Sequence, residues 1–257
     1  MPAENNRVIA VDIGSSNTKI GLVSIGRLDC PVSFIVPTSE LVQFLPPVIV
    51  ELRTILAPLP EIPVIISGSR NCSMIKIGRI IRRVHSGPVT WVRHHTKLPV
   101  KFLYMQPDSL GTDRIADALY SAAAYPDKNC IIIDSGTAIT VDCVSGAGRF
   151  LGGVIIAGAD LQLESLHQST ATLPGLSLSK SKIILPGKST EECMYAGTAH
   201  IIAGGLNHIV RTFGKQLGGK CVILATGGAW PLTERLVDFR FIGVPDMTLL
   251  GTALYKE

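Results

Sequence analysis

The sequence predicts an α/β fold of two duplicated halves facing each other across a cleft, and three observations predict it. The first is an internal echo: residues 8–24 read VIAVDIGSSNTKIGLVS and residues 130–145 read CIIIDSGTAITVDCVS. Each copy has a short β-branched run, then Asp-x-Gly, then hydroxyl residues, then a second β-type run. Asp12 and Asp134 occupy matching places. Repeats decide architecture before any single element does. The second is the alternation of strand-like and helix-like stretches along the rest of the chain. The third is composition. With 257 residues, 46% hydrophobic and 17% charged, the chain has material for one large or two ordinary domains and is not disordered as a whole. The halves are expected at residues 1–115 and 116–257.

In chain order, Val8–Val11 reads as a buried strand. Gly14 allows a tight turn, and the chain returns as a neighbouring strand. Such a turn presents backbone N–H groups and hydroxyls that cradle phosphate oxygens, with a carboxylate to manage the accompanying cation. Asp-x-Gly is also ordinary turn chemistry; the second copy tips the reading toward phosphate. Residues 38–57 and 72–84 read as helices, and Pro63–Ser67 and Val89–Val92 as strands. Arg79, Arg82, Arg83, Arg93 and Lys97, with His85, His94 and His95, form a basic stretch that reads as a solvated face. The balance of 24 basic to 20 acidic residues, +4, leaves little footprint for nucleic acid. His94 and His95, adjacent on a strand, point to opposite faces and make no metal pair.

Residues 112–124 (TDRIADALYSAAA) predict a helix with Thr112 as N-cap and Pro126 ending it. Asp113 and Arg114 at its mouth read either as cap and surface charge, or as a base for a hydroxyl beside a clamp for an anion. Within Phe150–Gly158, Gly152-Gly153 fits either a close approach to a ligand or a turn before a buried strand. Ser169–Pro174 and Thr190 are hydroxyl donors to a polar ligand, or loop and cap residues. Residues 190–214 predict a helix with Thr190 as N-cap and Glu191-Glu192 in its first turn. Cys221–Ala225 reads as a strand running into Thr226-Gly227-Gly228, with a helix from about Pro231. Bare backbone there admits a nucleobase and ribose, and a helix N-terminus suits phosphate.

No apolar run approaches the ~18 residues that span a membrane. The polar start, Met1–Asn6, and the early Asp12 do not read as a signal peptide. The six cysteines, Cys30, Cys72, Cys130, Cys143, Cys193 and Cys221, form no C-x-x-C pair. They are expected to be reduced and mostly buried, without a zinc site, in a cytoplasmic protein.

Taken in order, these segments resemble type III pantothenate kinases, of the acetate and sugar kinase/Hsp70/actin superfamily. The resemblance runs nearly end to end and is strongest from Tyr104 to Gly251. Asp12-Ile13-Gly14, followed by Ser15-Ser16-Asn17-Thr18-Lys19, resembles the family's first phosphate motif. Gly111-Thr112-Asp113-Arg114, with Tyr104 and Pro107 upstream, resembles its Gly-x-Asp-Arg motif. Asp134-Ser-Gly136-Thr137-Ala-Ile-Thr140 resembles its second phosphate motif. Gly152-Gly153, Thr170–Pro174 and Gly187–Thr190 follow in the family's order. Three segments depart: Ser15-Ser16 replaces Asn-Thr, Ala157-Gly158 replaces Pro-Gly, and Ser67-Gly-Ser-Arg70 replaces a more apolar stretch. None removes a presumed catalytic group.

The resemblance implies two ribonuclease-H-like (actin-like ATPase) domains. It also implies transfer of the ATP γ-phosphoryl group to the primary hydroxyl of pantothenate, giving 4'-phosphopantothenate, the first step of coenzyme A biosynthesis. By the same resemblance Asp113 is the base and Arg114 pairs with the pantothenate carboxylate. Tyr104, Gly111, Thr112, Thr170 and Thr190 bind substrate, Thr190 from the partner of a homodimer. Residues 12–19 and Thr137 hold ATP, Asp12 organises Mg²⁺ through water, and Asp134 binds a monovalent cation, K⁺ or NH₄⁺. Two alternatives belong beside this reading: a kinase of another small hydroxylated metabolite, and a non-catalytic regulatory protein accessory to transcription. The combination of Asp12, Asp113, Arg114 and Asp134 favours an enzyme, because a regulator has no need of it.

Overall fold

The computed structural model describes residues 7–55, 62–68, 73–177 and 183–256. Two compact units form. Of the described residues, the first holds those up to Pro126 with Gly148–Phe150 and the segment from Asp246; the second holds those within Asp127–Ala147 and Leu151–Pro245.

The echo in the sequence is an echo in topology. In the first unit, β1 (Arg7–Ile13), β2 (Asn17–Ser24), β3 (Asp29–Pro37), β4 (Val64–Gly68) and β5 (Val89–Trp91) form a sheet of order β3-β2-β1-β4-β5. The second sheet uses β6 (Lys101–Phe102), β7 (Cys130–Ser135), β8 (Ala138–Ser145), β9 (Arg149–Ala157), β10 (Val222–Thr226) and β11 (Ile242–Gly243) in the order β11-β10-β7-β8-β9-β6. Read from β9 to β11 it repeats the first. β1–β2 and β7–β8 are antiparallel hairpins, while β1–β4 and β7–β10 are parallel. Asp12 and Asp134 stand at equivalent ends, Asp12 opposite Lys19 and Ser67, Asp134 opposite Thr140 and Thr226.

The described residues form helices α1 (Leu41–Ile55), α2 (Ser73–Val84), α3 (Thr112–Ala124), α4 (Ala159–Ser169), α5 (Thr190–Gln216), α6 (Trp230–Thr233) and α7 (Met247–Ala253). Among the described residues none is long and apolar enough to cross a membrane. Ile9, Val11, Ile20 and Leu22 face a core built with Leu45, Ile49 and Leu52 of α1 and Ile77 and Ile81 of α2. Ala10 is also fully buried, so β1, the central strand of a mixed sheet, is covered on both faces. Small residues allow that second packing. A Cβ on Gly21 would meet Leu249 of α7 at 3.0 Å, and one on Gly251 would lie 1.9 Å from the Ala116 carbonyl oxygen of α3. The backbones of α3 and α7 therefore touch. The second unit has its own core around Ile131, Ile133, Val141, Leu163, Leu206 and Trp230.

Several boundaries differ from expectation, each for a local reason. Residues 38–57 begin with a 3₁₀ turn at Thr38–Glu40, since Thr38 is drawn into the turn after β1; positions 56 and 57 lie outside the described residues. The N-cap of α3 is Gly111, not Thr112, whose hydroxyl bonds β4 instead. The N-cap of α5 is Ser189, not Thr190: Ser189 Oγ accepts from Glu192 N at 3.2 Å, and Glu192 Oε2 accepts from Lys188 N at 2.7 Å. Replacing Ser189 by Ala should cost about 1 kcal/mol, read as a lower melting temperature of the second unit, whereas Thr190→Ala should leave the cap intact. Gly152-Gly153 is no turn but the middle of β9, one face of which is open. The helix expected from Pro231 is a single turn starting at Trp230. Strand β3 and helices α4 and α7 were not expected, although β3 alternates exposed Pro31, Ser33 and Ile35 with shielded Val32, Phe34 and Val36.

The basic stretch divides. Arg79, Arg82, Arg83, Arg93 and Lys97 are exposed. His85 is buried against the Ile62 carbonyl, and burial lowers its pKa. His94 packs edge-on to Phe102, and His95 Nε2 donates to the Lys256 carbonyl at 2.9 Å.

Of the five described cysteines, Cys130 and Cys143 are buried, Cys30 and Cys221 half-buried and Cys193 exposed; Cys72 lies outside the described residues. Burial pushes the Cys130 and Cys143 thiols up to about 12, from an ordinary 9.0. The neutral thiols of the fold thus contribute stability that is complete below pH 9.0 and is lost as pH rises from there toward about 12, because the unfolded chain ionises first. At pH 8 a thiol reagent followed by peptide mapping should label Cys193 first and Cys130 and Cys143 last.

Candidate functional site

In the first unit the turn after β1 is closed from both ends. Gly14 N–H donates to the Asn17 carbonyl at 3.1 Å, and a Cβ on Gly14 would lie 2.7 Å from that oxygen, so only glycine fits. Thr38 Oγ1 donates to the Gly14 carbonyl at 2.8 Å, and Thr38 N–H donates to the Ser16 carbonyl at 2.9 Å. With its one proton committed, Thr38 must accept at Oγ1 from the fully buried Thr18 hydroxyl, 3.0 Å away. Thr18 is therefore a lock of the turn. Ser15, Ser16 and Asn17 are exposed on it, and Asp12, Ile13 and Gly14 are half-buried at its base. Lys19, directly across the hairpin from Asp12, pairs with Asp246 at 3.6 Å. Thr38 and Asp246 were not anticipated from sequence; neither lies in a motif.

The end of β4 carries this turn to the mouth of α3. Asp12 is in register with Ser67 and Ile13 with Gly68. Gly68 N–H donates to Thr112 Oγ1 at 2.7 Å, Ser67 Oγ lies 3.2 Å from it, and Thr112 Oγ1 donates to the Gly68 carbonyl at 3.1 Å. A Cβ on Gly68 would lie 2.7 Å from that of Ile13, which keeps the two strand ends in contact. Ser67-Gly68 thus serves as the joint between two motifs; Ser69 and Arg70 of the same stretch lie outside the described residues. Thr112 is brought to the site with its hydroxyl engaged by β4.

Asp113 sits in the first turn of α3, where negative charge is favoured. Its Oδ1 accepts from Arg114 N at 2.8 Å, and the carboxylate occupies the space a Cβ on Gly111 would take, 2.3 Å away. The Gly-x-Asp-Arg order thus has a steric cause. Arg114 is buried, with its guanidinium carbon 5.6 Å from the Tyr104 ring centre and 5.5 Å from that of Phe150. Phe150 belongs to this unit through β6, where it pairs with Phe102. The two rings hold the cation by their faces. Asp113, Arg114 and Tyr104 therefore come together, with Phe150 as a member that no charge or hydroxyl signalled.

In the second unit the equivalent turn is gripped by two glycines. Gly136 N–H donates to the Ala138 carbonyl at 3.0 Å. Gly158 N–H donates to the Thr137 carbonyl at 2.9 Å, and a Cβ there would lie 2.2 Å from the Gly136 carbonyl oxygen. Gly227, at φ +97°, lies so close that a Cβ would come 2.5 Å from Asp134 Oδ1 and 2.2 Å from the Ser135 carbonyl oxygen. Gly227 therefore makes room for Asp134, and Gly228 is the position with open space. Gly153 likewise makes room for the buried Asp142 carboxylate, 2.0 Å from where its Cβ would lie. Asp134 is half-buried and Thr137 exposed at the tip.

The same unit holds a cavity of about 1160 Å³ lined by Leu161, Leu166, Leu173, Thr190, Cys193 and Ile201 among others. Thr190 is on its wall. Thr170 is exposed at the end of α4, and its hydroxyl donates back to the Leu166 carbonyl at 2.8 Å. His167 Nδ1 donates to the Leu173 carbonyl at 2.7 Å and fastens the following loop to the helix.

Among the described residues no three His, Cys, Asp or Glu side chains gather around a metal position. Mg²⁺ commonly takes one or two carboxylates and completes its shell with water and phosphate oxygens, so a half-buried Asp12 beside an exposed turn suits it. Asp134, half-buried at the equivalent turn of the second unit, carries the same hard-oxygen donor.

Residues 8–212 match a family model described as type III pantothenate kinase. A type III pantothenate kinase of Saccharopolyspora erythraea is 33% identical over 162 residues, covering 62% of this chain and 60% of that relative. The chain thus spans under two thirds of that relative's length. One of Frankia alni is 28% identical over 262 residues, covering 97% of this chain and 98% of the relative. Among solved structures, a ROK family glucokinase from Streptomyces griseus, in complex with glucose and AMPPNP, aligns with a TM-score of 0.56 at 11% identity. It covers 96% of this chain and 98% of its own, which shows a shared fold.

Proposed function

The chain belongs to the type III pantothenate kinase family, and from that membership we propose that it transfers the ATP γ-phosphoryl group to the primary hydroxyl of pantothenate. The products are 4'-phosphopantothenate and ADP, and the reaction is the first step of coenzyme A biosynthesis. The observation that carries the reading is the family match over residues 8–212, which spans both Asp-x-Gly hairpins and the mouth of α3 between them.

Phosphoryl transfer needs alignment and charge neutralisation more than covalent chemistry. Asp113 accepts or orients the hydroxyl proton as that oxygen bonds to the γ-phosphorus and the bond to the β,γ-bridging oxygen breaks. Arg114, pre-set between Tyr104 and Phe150, pairs with the pantothenate carboxylate. Tyr104, Thr170 and Thr190 supply polar contacts to the substrate chain, and Gly111 and Thr112 contribute through backbone. In the first unit the exposed Ser15, Ser16 and Asn17, with backbone N–H groups, hold phosphate oxygens, and Lys19 adds charge. In the second unit Thr137 does the same. Asp12 would hold Mg²⁺ through water, and Asp134 a monovalent cation, K⁺ or NH₄⁺. A bound cation neutralises charge on the phosphate oxygens.

A homodimer completes the reading, with Thr190 acting on the partner's substrate. The exposed Leu161, Leu166 and Ile201 around the Thr190 cavity support it. The enzyme is expected in the cytoplasm. The test is ADP release on mixing protein, MgATP and pantothenate in K⁺ and in Na⁺ buffer. Pantothenate-dependent release that is faster in K⁺ supports the whole reading. Equal rates remove the cation, and no pantothenate dependence removes the substrate.

A further inference from the structure

Asp246 occupies the N-cap position of α7, yet its side chain makes no capping bond to that helix. An N-cap aspartate ordinarily accepts from the second or third amide of its helix. Here the carboxylate turns instead to Lys19 Nζ, 3.6 Å away, with both side chains about three-quarters shielded from solvent. A local stabilising bond is given up for a long-range one. Lys19 stands directly opposite Asp12 in the β1–β2 hairpin, so paired positions place the two side chains on one face of the sheet, at the base of the 14–17 turn.

The anchor behind Asp246 is rigid. A Cβ on Gly251 would fall 1.9 Å from the Ala116 carbonyl oxygen, so α7 lies in backbone contact with α3. The N-terminus of α3 is bonded to β4 through Thr112 and Gly68, and β4 runs beside β1. A closed circuit results: turn, β1, β4, α3, α7, Asp246, Lys19 and back to the turn. A flexible lysine fixed at its tip by an element of that circuit loses little further freedom when an anion arrives.

We infer that Asp246 is a positioning residue for the nucleotide: it holds the Lys19 ammonium where the phosphates of ATP are received. The inference rests on the reading of residues 12–19 as a phosphate site. Asp246 touches no reacting atom; it acts through Lys19.

The test is calorimetric binding of MgATP to the full chain, together with steady-state kinetics, for wild type, Asp246→Asn, Asp246→Glu, Lys19→Met and the Asp246→Asn/Lys19→Met pair. Asp246→Asn should weaken MgATP binding by about three- to fivefold, the scale of one partly exposed ion pair. KM for ATP should rise in step, with kcat and KM for pantothenate within about twofold, since only nucleotide contacts pass through Lys19. Asp246→Glu should restore most of the affinity. In the Lys19→Met background the Asp246→Asn change should have no further effect. Equal affinity in wild type and Asp246→Asn, or an undiminished effect without Lys19, would overturn the inference while leaving the phosphate site standing. No MgATP binding by wild type would overturn the phosphate reading itself.

Discussion

Replacing Asp113 by Asn is expected to lower kcat with pantothenate by about a hundredfold or more, the usual contribution of a positioned general base, while MgATP still binds within about twofold of wild type. The geometry explains why the change is clean. Asp113 Oδ1 accepts from Arg114 N–H at 2.8 Å, and an asparagine Oδ1 can accept the same bond. Gly111 leaves the space above the helix start open to either side chain. The fold of the turn and the seat of Arg114 between Tyr104 and Phe150 should survive. What Asn cannot do is take a proton from the substrate hydroxyl. Stopped-flow or steady-state turnover beside equilibrium nucleotide binding checks both halves. Near-normal turnover in a correctly folded variant would remove Asp113 as the base.

Replacing Gly251 by Ala should have the largest effect on stability. The added methyl carbon would sit 1.9 Å from the Ala116 carbonyl oxygen and 2.4 Å from its carbon, atoms of a helical backbone that cannot swing aside. Helices α3 and α7 must part, at a cost of about 3 kcal/mol or more. A fall in melting temperature of roughly 6–12 °C follows for a unit of this size. Because α3 begins with Gly111–Arg114, kcat should fall as well, and displacement of Asp246 at the start of α7 should raise KM for ATP. Gly204→Ala is the control: it lies inside α5 with nothing within 4 Å of its added carbon, so it should be neutral or slightly stabilising. A Gly251→Ala variant as stable as Gly204→Ala would contradict the packing of these two helices.

Sequence revealed most where one residue type answers one physical need. The two Asp-x-Gly hairpins were legible because β-branched runs mark buried strands and a glycine marks each turn. The shared topology of the two sheets follows from them. The helix at 112–124 was legible to the residue from its alanine-rich turns and Pro126. Asp113, Arg114 and Tyr104 were found through motif order, and the structure brings them together. What stayed hidden has long-range causes. Thr38 locks a turn 24 residues away. Phe150 flanks Arg114 because β9 pairs with a two-residue strand. The roles of Gly153, Gly158, Gly227 and Gly251 depend on what lies opposite them in space. Thr112 and Thr190 were assigned to caps on type alone, and Gly111 and Ser189 take those positions.

Phosphoryl transfer to pantothenate is visible by ³¹P NMR of pantothenate incubated with MgATP and the protein in K⁺ buffer. Loss of the γ-phosphorus signal is expected, matched by a new phosphomonoester coupled to the methylene protons of the primary carbinol, with ADP in equal amount. Inorganic phosphate with no ester, or ATP unchanged, would contradict it.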